Sequence, residues 1–313
     1  MHATLLGRRQ TPTAAVFHFS GCRVVTLLTR APEPHQGAFP VTATDASEVT
    51  IGRVAKPVHQ RLVDRGREIG LLALKYLVLG VAQVAIKVVD LSVPRRFSLV
   101  ETTPFIDPRQ FEWHDTLTAA YPEIRSELEA LLSHTETIPN HQDIVEAIRT
   151  LTDDDKWLSH FLYIYGRRFE KQCAECPETT ALLEDIPGMK TAFFSILSPG
   201  KRIPPHKGPY RGVMRYHLPL LVPSHGDCAI RVHDEIAKFE EGVAIMFDDT
   251  YEHEVWNDTE ETRVVLFLDI VRPMKFPFNL VNSAIIGFAG WSPLVKGMQK
   301  NQLTFDRAVK KSA

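Results

Sequence analysis

Cysteine is scarce in this chain: Cys22, Cys173, Cys176 and Cys228 are the four in 313 residues. So few argue against a disulfide framework and point to a reducing compartment. The Cys173-Ala-Glu-Cys176 spacing lacks the second pair that a structural zinc site needs, so packed thiols are the plainer reading. An excess of one charge is also missing. The 36 Lys and Arg nearly balance the 38 Asp and Glu, for a formal net charge of −2. That gives no global basic field, and no nucleic-acid partner is expected. A clean membrane-length apolar run is lacking as well. The nearest, Ile69–Ile86, is interrupted by Lys75 and Gln83. A charge at mid-membrane costs about 2.5–3.5 kcal/mol on insertion scales, although near an end a lysine can snorkel. A membrane-associated helix, a marginal span and a core or dimer helix therefore all stand as readings. What remains, 44% hydrophobic and 24% charged, is ordinary globular composition.

The chain divides by pattern. Residues 1–60 are rich in Thr, Ala, Pro and Arg and hold little period beyond Cys22–Leu28. They read as a disordered extension, either of targeting type or from a start placed too far upstream. Residues 61–95 hold the apolar helix. Residues 96–188 read as helical with loops. Pro122-Glu123 opens a helix with Ile124, Leu128, Leu131 and Leu132 on one stripe, and Asn140 is placed to cap another carrying Ile144, Ala147, Ile148 and Leu151. Pro177 begins a third that ends near Asp185. After Gly188 the period drops to two. Lys190–Leu197, Gly212–Val222, Cys228–Val232, Val243–Phe247, His253–Trp256 and Arg263–Val271 read as strands separated by turn residues. Short strands without alternating helices predict a sandwich or barrel such as a jelly roll over residues 189–275. Residues 276–313 form an amphipathic tail that either lies on a membrane or covers the barrel.

Within the strand region His206 follows Pro204-Pro205, and His253 follows the Asp248-Asp249 turn. Imidazole suits Fe(II), and two histidines with a carboxylate make the facial triad of non-haem iron oxygenases. The carboxylate position, two residues after the first histidine, holds Gly208. Arg263 opens an apolar strand and shares a face with Val265, Phe267 and Asp269. A guanidinium there needs an anion, either a bound carboxylate or a structural Asp or Glu. Arg215 and His217 share a face of another strand and leave the same two alternatives open.

Taken together, several pieces resemble the aspartyl/asparaginyl β-hydroxylase domain, a family of Fe(II)- and 2-oxoglutarate-dependent dioxygenases. They are Phe194-Ser195-Ile196-Leu197-Ser198-Pro199-Gly200, Pro205-His206-Lys207-Gly208-Pro209, Arg215-Tyr216-His217-Leu218, the stretch Phe247 to Trp256, and Arg263. The resemblance implies an α+β fold, a double-stranded β-helix (cupin-like jelly roll) with an N-terminal helical region packed around it. It implies His206 and His253 as iron ligands, with water in the place that Gly208 leaves. Ser195 and Arg263 would hold one carboxylate of the co-substrate 2-oxoglutarate, and Arg215 and His217 the other. Asp249 would be the acidic residue near substrate and the metal-bound water, and O2 the oxidant. A two-histidine site also carries less negative charge than a full triad, so weaker iron retention is expected.

The expected substrate is an Asp or Asn side chain of a peptide, or a lipid acyl chain. Lys201, Arg202, Tyr210 and Arg211 flank the site and could greet an anionic substrate, or form a solvated basic loop. The two apolar segments tilt the reading towards a membrane-proximal substrate and a cytoplasmic location at the inner face of a membrane. A non-catalytic cupin-like binding module and an oxygenase acting on a soluble small molecule are the competing readings.

Overall fold

The computed structural model describes Ala15–Phe19, Cys22–Thr26, the helical Gly70 and Gly80, and residues 96–312. Most of the N-terminal extension and of Ile69–Ile86 lies outside the described residues. The chain forms two units, residues 1–62 and 63–313. In the first, β1 (Ala15–Phe19) and β2 (Cys22–Thr26) pair as an antiparallel hairpin.

The second unit is a double-stranded β-helix with helices against it. Its strands are β3 (Phe105–Ile106), β4 (Trp157–Ile164), β5 (Arg167–Arg168), β6 (Met189–Leu197), β7 (Lys201–His206), β8 (Val213–Leu221), β9 (Asp227–Val232), β10 (Glu235–Lys238), β11 (Ile245–Phe247), β12 (His253–Asp258) and β13 (Arg263–Val271). Its helices are α1 (Trp113–Ala119), α2 (Tyr121–Leu132), α3 (His141–Ile144), α4 (Glu170–Glu175), α5 (Pro177–Glu184), α6 (Phe278–Gly290) and α7 (Pro293–Ser312). Seven strands make one sheet in the order β3-β11-β8-β13-β6-β4-β5, and four make the other, β10-β9-β12-β7. All pairings are antiparallel.

The large sheet is apolar on both faces, for different reasons. Its outer face, with Phe194, Ile196, Leu218, Leu266 and Leu268, packs on α2 and α5 through Ile124, Leu128 and Leu183. Full burial of such side chains contributes about 1.5–3 kcal/mol each. Its inner face, with Leu197, Ile245, Phe247 and Val265, meets Ile203, Ile230, Val232 and Val255 of the small sheet. Successive strand residues alternate between faces, so Arg263, Ser195, Arg215 and His217 all fall on the inner one.

Two expectations need correction. The region from Phe97 to Met189 is not only helices and loops: β4 is a buried eight-residue strand within the large sheet. Buried on both faces, it shows no alternation and cannot be told from a helix by period. The predicted helix through Ile144 and Leu151 is one turn of α-helix and one of 3-10 helix, broken at Val145, whose φ and ψ are −109° and 80°. Asn140 makes no cap there; its side-chain N–H donates to Asp155. Pro204 and Pro205 lie inside a strand, in keeping with the extended backbone expected before His206. β7 is the edge of its sheet, and its register against β12 slips between His253 and Val255. An edge and a bulge are where a sheet tolerates proline.

Candidate active site

The bulge sets up the histidine pair. His206 and His253 are direct partners across β7 and β12, with ring centroids 4.1 Å apart. His206 Nδ1 lies 2.8 Å from Pro204 O, and His253 Nδ1 lies 3.0 Å from Tyr251 O. A carbonyl only accepts, so each Nδ1 carries the hydrogen and each Nε2 keeps a lone pair. Burial lowers both pKa values, that of His253 to about 3 with Arg215 and His206 adding to the effect. Both rings are neutral at pH 7, the form that ligates a metal.

Gly208 is explained by Asp249. A Cβ at position 208 would stand 1.9 Å from Asp249 Oδ2 and 2.2 Å from its Cγ. The backbone holds the two together through a 2.7 Å bond from Gly208 N–H to Asp249 O. The space a residue-208 side chain would enter is thus filled by another carboxylate. An aspartate at 208 would have to displace Asp249, and so does not simply restore a triad. Among the described residues no three His, Cys, Asp or Glu side chains form a metal-holding group. Asp249 faces Arg215 instead, with Oδ2 3.1 Å from Nη2. Burial raises the Asp249 pKa to about 6 against the pull of Arg215.

Arg215 is closely engaged. Besides Asp249, its Nε lies 3.5 Å from Asp269, its Nη1 lies 3.2 Å from His253 Nε2, and it stacks over Phe267. Burial alone would lower its pKa, but Asp249 and Asp269 outweigh that and raise it. A cation at His253 Nε2 would require Nη1 to turn away.

Arg263 differs. It is 1% exposed, and among the described residues no carboxylate pairs with it. Nη1 makes a long 3.5 Å contact to Ser195 O, and the Cys228 thiol is the other polar neighbour. Nε, like that of Arg215, has no hydrogen-bond partner, and the guanidinium lies over the Phe239 ring. Burial lowers its pKa to about 10, against a smaller opposing effect of Cys228. Beside it, Ser195 Oγ accepts the Trp157 indole N–H at 3.1 Å, leaving its own O–H free to donate to an anion. His217 is also buried with neither ring nitrogen bonded; burial, then Arg263 and Arg215, push its pKa well down. Buried polar atoms rarely go unpartnered. Here they converge on one inner face, which suits a buried dianion beside a two-histidine metal site.

A cavity of about 350 Å³ opens beside the histidines. Its polar lining includes His206, Lys207, Arg215, Asp269, His141 and Thr191; its apolar walls include Val145, Ile148, Leu151, Trp157, Phe161, Phe193, Phe267 and Met298. The broken helix after Asn140 therefore supplies cavity wall where packing face was expected. Sequence reasoning missed Trp157 and His141, whose rings stack at 4.0 Å and 3°, with His141 Nδ1 2.6 Å from Ser159 Oγ. It also missed Asp269 as a partner of Arg215, although its alternation with Arg263 was visible.

The basic flank is largely engaged within the chain. Lys201 is buried on Thr152 and Asp154, each at 2.6 Å. Arg202 pairs with Asp258, Tyr210 donates to Asn282, and Arg211 donates to Thr250 and stacks over Tyr251. Cys173 and Cys176 are packed in the core, where burial raises both thiol pKa values.

The family model for aspartyl/asparaginyl beta-hydroxylase matches residues 118–273. A Rhizobium tropici protein named ornithine lipid ester-linked acyl 2-hydroxylase is 42% identical over 206 residues, 66% of this chain and 73% of that one. The human aspartyl/asparaginyl beta-hydroxylase is 37% identical over 132 residues, 41% of this chain but 17% of that much longer protein. Among solved structures, a Pseudomonas putida prolyl-4-hydroxylase covers 49% of this chain and 88% of its own, with 14% identity and a TM-score of 0.33.

Proposed function

The chain belongs to the aspartyl/asparaginyl β-hydroxylase family, and from that premise we propose that it is an Fe(II)- and 2-oxoglutarate-dependent dioxygenase that hydroxylates a lipid acyl chain. The observation that carries the co-substrate is Arg263, a buried guanidinium with no carboxylate of its own, on the same sheet face as Arg215 and His217. A bidentate carboxylate satisfies its planar fork.

The roles follow from what each group has free. His206 and His253 offer Nε2 to the iron, held in orientation by the Pro204 and Tyr251 carbonyls. Arg263 and the Ser195 hydroxyl take the far carboxylate of 2-oxoglutarate, with Trp157 fixing the serine rotamer. Arg215 and His217 take the metal-proximal end. Asp249, its carboxyl held near pH 6 by burial, can keep or release a proton beside the metal. With iron bound, 2-oxoglutarate and O2 yield succinate, CO2 and an oxygen atom inserted into a C–H bond, which leaves no atoms or electrons unaccounted for.

The substrate reading rests on the cavity walls. Val145, Ile148, Leu151, Phe161, Phe193 and Met298 present hydrocarbon next to His206, which fits an acyl chain better than a carboxylate or amide side chain. The similarity to an acyl 2-hydroxylase supports the same choice. The test is succinate formation with added Fe(II), comparing an ester-linked acyl aminolipid with an Asp- and Asn-containing peptide. Lipid-dependent turnover is expected, with the product heavier by one oxygen atom. Peptide-only turnover would replace the substrate assignment. A fully active His253→Ala variant would remove the mechanism.

A further inference from the structure

We propose that the outer face of α6 and the start of α7 form a docking surface for a bilayer carrying anionic headgroups. No charged residue stands between Lys275 and Lys296, and no Asp or Glu between Lys275 and Asp306. α6 is bound to the rest of its unit by one stripe. Asn282, Ile286 and Gly290 are buried, and Asn282 Nδ2 donates to Gly212 O and Arg272 O. The opposite side is apolar and mostly exposed, with the Arg167 guanidinium over the Trp291 ring. Phe276 is 79% exposed, Leu280 59%, Phe288 56%, Trp291 71% and Leu294 49%. Large apolar side chains clustered on one surface mark an interaction site, where scattered ones would not.

Three observations select a bilayer as the occupant. The exposed Lys275, Lys296 and Lys300 frame the apolar face with positive charge alone, which complements anionic lipid. A two-fold contact with a second copy would instead set these lysines near their own counterparts. Together α6 and α7 have the length and composition of a broken span, but their bend and attachment argue against insertion. Among the described residues no single helix is long and apolar enough, α6 and α7 are bent by 46°, and Asn282 ties α6 to its own unit. A helix with one protein-bound face and one exposed aromatic and aliphatic face lies in the interface plane, its flanking lysines reaching the headgroups. Finally, the patch adjoins the cavity. Met298 of α7 lines it, and Gly290 packs against the Tyr165 carbonyl, Tyr165 being another lining residue. An acyl chain leaving the bilayer at this face has a short apolar route to the histidine pair.

The experiment is vesicle co-sedimentation of the full chain, using phosphatidylcholine with a minority of phosphatidylglycerol and, separately, phosphatidylcholine alone. Wild type is expected to bind the anionic vesicles. The doubly substituted Phe288→Asp, Trp291→Asp protein, with an unchanged melting curve, is expected to partition at least about tenfold less, since charges insert poorly at an interface. Lys275→Glu with Lys296→Glu and Lys300→Glu should abolish the preference for anionic vesicles. Failure of wild type to bind, or equal binding by the double variant, overturns the docking face; the latter would move membrane contact elsewhere, for example to Ile69–Ile86. Sedimentation velocity showing wild type dimeric and the double variant monomeric overturns it in favour of a second copy. The docking face goes beyond the hydroxylase reading, and the two fail separately. Turnover on detergent-dispersed lipid tests the chemistry, and vesicle binding tests the surface.

Discussion

Arg263 opens β13 and Arg272 follows its end, and each is 1% exposed. Around Arg272 each of the three guanidinium nitrogens has a partner. Nη2 reaches Asp248 Oδ2 at 2.7 Å, Nη1 the Glu101 carbonyl and Nε the Arg211 carbonyl. Asp248 also accepts from Thr250, so that corner is a closed network that fixes the turn before His253. Around Arg263 there are one long carbonyl contact, the Cys228 thiol and an aromatic face, and no carboxylate. Burial is equal and satisfaction is not. The Arg272 corner holds the fold, and the Arg263 corner is the one to which the proposed function gives a bound carboxylate. The adjacent aspartates divide in the same way. Asp248 locks a turn, while Asp249 fills the space beside Gly208 and faces Arg215.

The sharpest way to break this comparison is to remove each arginine. Arg272→Ala leaves Asp248 buried and unpaired, and should lower unfolding free energy by about 3–5 kcal/mol in urea titrations. Arg263→Met removes an unpaired charge from an apolar site, and should leave stability unchanged or raise it. Equal losses would show that the two corners are the same kind of structure.

Two predictions of about 3 kcal/mol come next. In the metal-free protein, the Asp249 pKa of about 6 lies above the ordinary 3.8. The unfolded chain ionises this group first, so its contribution to stability falls as pH rises from about 4 to about 6, by about 3 kcal/mol in total. Asp249→Asn should flatten that part of the stability-against-pH curve; an unchanged curve would mean the group is not held protonated. With Fe(II) bound, 2-oxoglutarate at a hundredfold over its Kd should stabilise wild type by about 2.7 kcal/mol. At the same concentration it should stabilise Arg263→Met little, read as a thermal shift.

The smallest effect concerns positioning. Trp157→Phe removes the N–H that orients the Ser195 hydroxyl, and should weaken 2-oxoglutarate binding by about 1 kcal/mol, roughly fivefold. The iron affinity of that variant should not change.

Much of the site was legible because strand alternation is local. Arg215 with His217, and Arg263 with Asp269, could each be placed on a common face from spacing alone. The helix of Ile124 and Leu128 announced itself by a 3.6-residue period and a proline at its start. Other features depended on neighbours that no local pattern encodes. β4 is apolar on both sides because it lies between β6 and β5 with layers above and below. The prolines before His206 are tolerated because β7 is an edge with a bulge. Lys201, Arg202 and Arg211 looked available, yet each is engaged with partners from elsewhere in the chain.

By itself the sequence determined the chemistry on offer: two histidines, two strand-borne arginines and a glycine where a carboxylate might have stood. Their identities and their faces follow from residue type and from the two-residue period of a strand. Only the tertiary structure decided which arginine is satisfied and which is not, because a partner's absence depends on every chain segment packed around it. It also decided why position 208 is glycine. Asp249, brought there by the turn into β12, leaves no room for a Cβ.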